Sequence, residues 1–95
     1  MSVYVVVSHH VADFEAWKPV FAEHEKVRRG HGAVGHKLHR SIDDPGRVIV
    51  VTEFADESGA RAFSTNPSLP EAMKRAGVDG PPDVYICDRV ESVDY

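Results

Sequence analysis

The pattern of apolar and polar residues divides the chain into six segments, and the spacing within them predicts the order strand, helix, strand, strand, helix, strand. The predicted strands are Val3–His9, Ala33–Ser41, Arg47–Phe54 and Asp83–Val90. The residues Asp43-Asp44-Pro45-Gly46 favour a turn, which makes the second and third strands a hairpin. The order βαββαβ is that of the ferredoxin-like fold, an α+β fold with a four-stranded antiparallel sheet and its helices on one face.

The first helical segment has an apolar face that contains a histidine. At 100° per residue, the residues of this face fall within roughly 140° of the helix circumference. They are Phe14, Trp17, Val20, Phe21, His24 and Val27. Asp13 is the predicted N-cap, and the helix is expected to run to about Arg29 and to end at Gly30. Because proline lacks a backbone N–H, Pro19 predicts a kink or a restart near Lys18.

The second helical region is divided by Asn66-Pro67. One helix is predicted to start at Asp56, before this break. After the break, Ser68 and Glu71 have the spacing of a capping box and predict a short third helix. The residues Gly80-Pro81-Pro82 then predict a stiff turn before the last strand.

The predicted strands are apolar on both faces. In the first strand Val5 and Val7 alternate with Tyr4 and Val6, whereas a strand with one wet face would alternate apolar with polar residues. Helices cover only one face of such a sheet, so the second face needs another cover. This pattern predicts a homodimer packed sheet to sheet. The alternative is that these are central strands rich in β-forming residues, and that one face of the sheet is partly exposed.

Composition and charge narrow the function classes. The chain has 95 residues, a net charge of −4 and no basic stripe, which argues against nucleic acid as a partner. The apolar run Val3–Val7 is too short to cross a membrane, and the N-terminus lacks the pattern of a signal peptide. The single Cys87 suits a reducing compartment. We therefore expect one cytoplasmic domain over residues 1–95, without a membrane partner.

Three sequence segments carry a resemblance to a known family. They are Asp13-Phe14-Glu15-Ala16-Trp17, Val50-Val51-Thr52-Glu53-Phe54 and Ala60-Arg61-Ala62-Phe63, and they follow a Val-rich first strand. With these segments the chain resembles the dimeric α+β barrel superfamily, in particular its small antibiotic-biosynthesis-monooxygenase-like and polyketide-cyclase-like proteins. The resemblance implies a flat aromatic or polyketide-like ligand between helices and sheet. It also implies either oxidation by molecular oxygen without a cofactor or cyclisation of a polyketide chain.

His24 is the leading catalytic candidate. A neutral imidazole in an apolar pocket is a natural general base for a phenol or an activated C–H, and both oxygenation and cyclisation require such a base. Trp17 and Phe21 precede His24 on the same helix face, by about two turns and one turn, and are candidates for the wall against which a planar ligand stacks. The alternative interpretation makes all three residues ordinary members of the core.

Tyr85, His36 and Asp88 are further candidates for contact with a substrate. Tyr85 can polarise a carbonyl or simply pack, and Asp88 can orient His24 or protect a strand edge. His36 and His39 are three residues apart on a strand, so they point to opposite faces and cannot share a metal ion. We predict no metal site.

Three other residues were open to more than one interpretation. His9 and His10 point to opposite faces of the first strand, so at most one of them faces a helix-side cavity. Arg28 lies one turn beyond His24 and either closes the pocket, pairs with an acid or complements the helix dipole. Three functions stay open: an oxygenase or cyclase, a ligand-binding module without turnover, and a dimer whose interior is filled.

Overall fold

The chain folds into a four-stranded antiparallel sheet with four helices on one face, and the computed structural model describes residues 2–95. The strands are β1 (Val3–Val11), β2 (Ala33–Arg40), β3 (Arg47–Phe54) and β4 (Val78–Asp88). The helices are α1 (Phe14–Glu23), α2 (Glu25–Gly30), α3 (Glu57–Ser64) and α4 (Ser68–Arg75). The sheet order is β2-β3-β1-β4, which confirms the ferredoxin-like α+β fold. Within the described residues, no helix has the length and apolar character needed to span a membrane.

The core lies between the helices and one face of the two central strands. Buried and half-buried residues alternate along β1 and β3, as strand geometry requires. The buried strand residues are Val3, Val5, Val7, His9 and Val11 on β1 and Val48, Val50, Thr52 and Phe54 on β3. The helices complete this core with Trp17, Ala60, Phe63 and Ala72, and Ala76 follows α4. Two polar strand residues, His9 and Thr52, therefore lie on the helix side of the sheet.

The first helical segment is interrupted at His24 and not near Lys18. The predicted restart at the proline is wrong, because α1 continues through Pro19. Pro19 removes a single N–H from the helix, and α1 tolerates that loss. The break comes at His24, whose N–H is shared between the carbonyl oxygens of Val20 and Phe21, each 3.2 Å away. Such sharing tightens the end of a helix into 3₁₀ geometry.

The Gly80-Pro81-Pro82 segment belongs to β4 and does not form the predicted turn before it. β4 is an edge strand, and a proline is tolerated there because its missing N–H can face away from the sheet. Gly80 has a φ of 68°, and the pairing of β4 with β1 shifts register between Ser8 and His10. The last strand therefore begins at Val78, five residues before the predicted start at Asp83.

The predicted N-cap at Asp13 and the predicted helix start at Asp56 are confirmed. The carboxylate of Asp13 accepts a hydrogen bond from the N–H of Glu15, and that of Asp56 accepts one from Gly59 at 2.8 Å. The predicted capping box at Ser68 is wrong, because Ser68 lies inside α4 and makes no capping bond. The side chain of Asn66 instead accepts a hydrogen bond from the Ser68 N–H at 2.8 Å.

Gly59 marks the place where α3 packs on the loop between α2 and β2. A Cβ added at Gly59 would collide with the backbone carbonyl oxygen of His31, which has little freedom to move. Gly59→Ala is therefore expected to lower the free energy of unfolding by about 1–3 kcal/mol, the usual range for overpacking. Urea denaturation measures the change. Gly30→Ala is the matched control, since its Cβ meets nothing within 4 Å, and an equal loss in both variants would contradict the packing argument.

Candidate functional site

An apolar cleft of about 520 Å³, its open mouth included, lies between the sheet and the helices. Val5, Val7 and Val50 form part of its floor. Among the described residues that line the cleft, four have polar or charged side chains: His9, His24, Arg28 and Thr52. None of these lining residues is an aspartate or a glutamate.

His24 lines the cleft at the junction between α1 and α2 and is 9% exposed. Its Nε2 lies 3.1 Å from the Oγ of Ser68 on α4, a distance that fits a hydrogen bond. Burial, and after it the positive charge of Arg28, lowers the pKa of His24 below its ordinary value of 6.5. The imidazole is therefore neutral at neutral pH and available as a base.

Ser68, and not an acid, is the side-chain partner of His24. Sequence reasoning assigned Ser68 to a helix cap, and its 44-residue separation from His24 gave no signal of their contact. Asp88, the predicted orienting carboxylate, is exposed at the end of β4, where it is paired with Val3, and it does not line the cleft. The hydroxyl of Ser68 can hold the ring by a hydrogen bond without adding a negative charge to the cleft.

The predicted aromatic wall lies along α1. The rings of Trp17 and Phe21 are stacked, with centroids 4.9 Å apart, and both residues line the cleft. Trp17 is 3% exposed and also belongs to the core, so the two interpretations of this residue are compatible. The row continues at both ends. His9 meets Trp17 edge to face at 5.6 Å, and the guanidinium carbon of Arg28 lies 3.8 Å from the centroid of Phe21.

His9 is a second histidine in the cleft. It is 3% exposed, and among the described residues its Nδ1 has no hydrogen-bond partner. Burial lowers its pKa below 6.5. His10 points to the other face, where its Nδ1 lies 2.8 Å from a carboxylate oxygen of Asp79, so the predicted division of the two histidines is confirmed. Strand alternation limited the choice to one of the pair, and only the packed structure selected His9.

His36 borders a neighbouring groove and does not line the cleft itself. It is paired with Thr52 on the helix side of the sheet, and its ring lies edge to face on Phe21 at 5.1 Å. Burial and the nearby Arg28 lower the pKa of His36. His39 is paired with Ile49 on the opposite face, as predicted from their spacing. Arg28 lines both spaces and so separates the groove from the cleft.

Tyr85 lies outside the cleft. It is paired with Val6 on the sheet face that the helices do not cover, and it is 60% exposed. Neighbouring residues of a strand point to opposite faces of the sheet. Because the sequence did not fix where β4 starts, it could not show which face Tyr85 occupies. Within residues 2–95, no group of three or more His, Cys, Asp or Glu side chains is arranged to hold a metal ion.

The two cleft histidines predict an acid-sensitive fold. Their pKa values are lowered in the folded protein, so below pH 6.5 the unfolded chain binds protons that the folded protein does not. The free energy of unfolding is therefore expected to fall as the pH drops through this window. Urea denaturation between about pH 5 and about pH 8 measures the slope. His9→Phe is expected to reduce the slope. A wild-type stability that does not change with pH would contradict the prediction.

Comparisons with known proteins agree with this architecture. The sequence profile of the antibiotic biosynthesis monooxygenase family matches residues 2–75. SnoaB from Streptomyces nogalater, a cofactor-independent oxygenase, superposes with a TM-score of 0.79 at 16% identity, covering 99% of this chain and 98% of that one. A Bordetella bronchiseptica protein described as an antibiotic biosynthesis monooxygenase gives 0.76 at 22% identity, covering 95% and 98%.

At these identities the structural likenesses show the fold alone. A search of curated protein sequences finds no match. The family profile, in contrast, covers well over half of the sequence and includes every element from β1 to α4. The chain belongs to the antibiotic biosynthesis monooxygenase family.

Proposed function

We propose that this protein is a monooxygenase that acts, without a cofactor, on an aromatic or polyketide-like small molecule bound in the cleft. The observation that carries the proposal is His24, a histidine of lowered pKa that lines an apolar cleft and is held by Ser68. General-base catalysis needs such a group within reach of the proton that it removes.

The proposed reaction begins when His24 takes a proton from an activated CH₂ or a phenol of the substrate. The resulting carbanion or phenolate is electron-rich enough to reduce molecular oxygen, which is the only co-reactant. For an activated CH₂ group, one oxygen atom becomes the product carbonyl and the other leaves as water, so that CH₂ and O₂ give C=O and H₂O. Trp17 and Phe21 hold the planar substrate beside the base.

Family membership supports this function, as does the fold shared with SnoaB, which is described as a cofactor-independent oxygenase. The cleft supports it as well, because its lining offers a base among aromatic and aliphatic side chains. Cyclisation of a polyketide chain would use the same base to form an enolate, and its products contain no new oxygen atom.

Oxygen consumption tests the proposal. Purified, chelator-treated protein is mixed with anthrones, hydroquinones and naphthols in an oxygen electrode, and the products are identified by mass spectrometry. The proposal expects oxygen uptake with at least one compound and one added oxygen atom in the product. Turnover of a polyketide-like compound without oxygen uptake would establish a cyclase instead. Binding of these compounds without turnover would contradict both reactions.

We also propose that the protein is a homodimer formed through the sheet face that lacks helices. Tyr4, Val6 and Val51 are half-buried on this face, and Tyr85 is 60% exposed there. Light scattering is expected to give about twice the chain mass of 10.5 kDa. Val6→Asp is expected to yield the monomer, whereas Ile42→Asp, at a turn residue that is 97% exposed, is expected to leave the dimer intact. A wild-type mass of one chain would disprove the dimer.

A further inference from the structure

Arg28 is a buried cation that forms no ion pair with any of the described residues. It is 3% exposed, although arginine is almost never fully buried unless it is paired. Its NH1 group donates a hydrogen bond to the carbonyl oxygen of Phe21 at 2.8 Å. Among the described residues, NH2 finds no acceptor at all. A buried charge left in this state is unfavourable, so the arrangement calls for a ligand that supplies the missing negative charge.

No acid among residues 2–95 forms an ion pair with Arg28. The described residues that line the cleft include no aspartate or glutamate. The acid nearest in sequence on the same helix is Glu25, whose charge favours the charged form of Arg28 but whose carboxylate lies 3.5 Å from the side chain of Arg29. Burial has the larger effect and lowers the pKa of Arg28. The other titratable groups near the guanidinium are His24 and His36, whose pKa values Arg28 lowers. The protein as a whole has a net charge of −4, yet this cleft contains a single formal charge, and that charge is positive.

The position of Arg28 relates this charge to the aromatic wall. The guanidinium lies over the ring of Phe21 at 3.8 Å, and Phe21 stacks on Trp17 at 4.9 Å. An aromatic ligand that lies along these rings therefore reaches Arg28 at the end of the row. A carboxylate at that end of the ligand would lie beside the guanidinium and supply the missing negative charge, and bonds between two charged groups are the stronger ones.

We infer that the cleft binds an aromatic carboxylate, with its ring beside Trp17 and Phe21 and its carboxylate at the guanidinium of Arg28. This inference rests on the proposed function for the reaction that follows, and it adds the class of molecule on which the enzyme acts. Arg28 is thus a substrate-binding residue that sets specificity, and His24 remains the base.

Calorimetric titration with a matched pair of ligands tests this inference. The pair is 2-naphthoate and 2-naphthamide, which have nearly the same shape and differ in charge at neutral pH. Wild-type protein is expected to bind the carboxylate at least tenfold more tightly than the amide, equal to about 1.4 kcal/mol. Equal affinity for the two ligands, or no binding of either, would overturn the inference.

Variants then assign the preference to one residue. Arg28→Met keeps much of the apolar stem and is expected to remove the preference for the carboxylate. Arg29→Met removes a neighbouring charge whose side chain is 73% exposed, and it is expected to keep the preference. A preference that persists in a folded Arg28→Met protein would overturn the assignment. Thermal unfolding shows whether each variant is folded. If Arg28→Met does not fold, the relative affinity of wild-type protein for 2-naphthoate and 2-naphthamide decides whether the inference holds.

The binding measurement is independent of turnover. If 2-naphthoate binds through Arg28 and no oxygen is consumed with any compound, the anion subsite stands and the oxygenase proposal fails. If oxygen is consumed but the two naphthyl ligands bind equally, the oxygenase stands and the anion subsite fails.

Discussion

His24→Gln is expected to reduce oxygen consumption at least about 100-fold, within the usual contribution of a general base. The substitution removes the basic nitrogen and retains a side chain that can still form a hydrogen bond with Ser68. The melting temperature is therefore expected to stay close to that of the wild type. Steady-state oxygen uptake and a thermal melt of the same preparation measure both quantities.

The pH profile adds a second test of the role of His24. The base is active when it is neutral, and its pKa is lowered, so the wild-type rate is expected to fall only as the pH drops below 6.5. Ser68→Ala removes the hydrogen bond to Nε2 and is expected to slow the reaction less than His24→Gln does, because Ser68 positions the ring and is not among the residues that line the cleft. An unchanged rate in His24→Gln would exclude His24 as the base and leave His9 as the remaining histidine of the cleft.

Phe54→Ala is expected to lower the free energy of unfolding by about 3–5 kcal/mol, the range for deleting a buried phenyl group. Phe54 is fully buried at the end of β3, and its ring lies 5.4 Å from that of Phe63. Small domains have a total stability of about 5–15 kcal/mol, so this loss is a large part of the whole. Urea denaturation of the wild type and the variant measures it.

Phe14→Ala is the matched control for this loss. Phe14 is only half-buried at the start of α1, so the same chemical deletion removes less buried surface there. Phe14→Ala is expected to lower the free energy of unfolding by about half as much as Phe54→Ala, or less, because this free energy scales with the apolar surface removed from water. Equal losses at the two positions would mean that the core does not end where the structure places it.

The fold was predictable because its signals are local. The Val- and Tyr-rich run at Val3–His9 predicted β1, the Asp43-Asp44-Pro45-Gly46 turn predicted β3 as the second arm of a hairpin, and Asp13 and Asp56 predicted two helix starts. The errors arose where position in the sheet overrides local preference. The Gly80-Pro81-Pro82 segment has the composition of a turn. In an edge strand, however, a proline is tolerated because its missing N–H can face away from the neighbouring strand.

The candidate site was predictable only in part. Helical periodicity brought His24, Trp17 and Phe21 to one face, and the structure places all three in the cleft. The partner of His24 was not predictable, because Ser68 reaches it from another helix.

The sequence by itself determined the order of the elements, the helix face that bears His24 and the family to which the chain belongs. These properties depend on the spacing of residues along the chain, because that spacing decides which residues share one face of a helix or strand. Tertiary structure alone decided that Ser68 holds His24, that His9 faces inward and that Arg28 is buried without an acid. The physical reason is that burial and pairing depend on which elements pack together. Two arginines adjacent in sequence, Arg28 and Arg29, can thus meet opposite surroundings, one in the cleft and one in water.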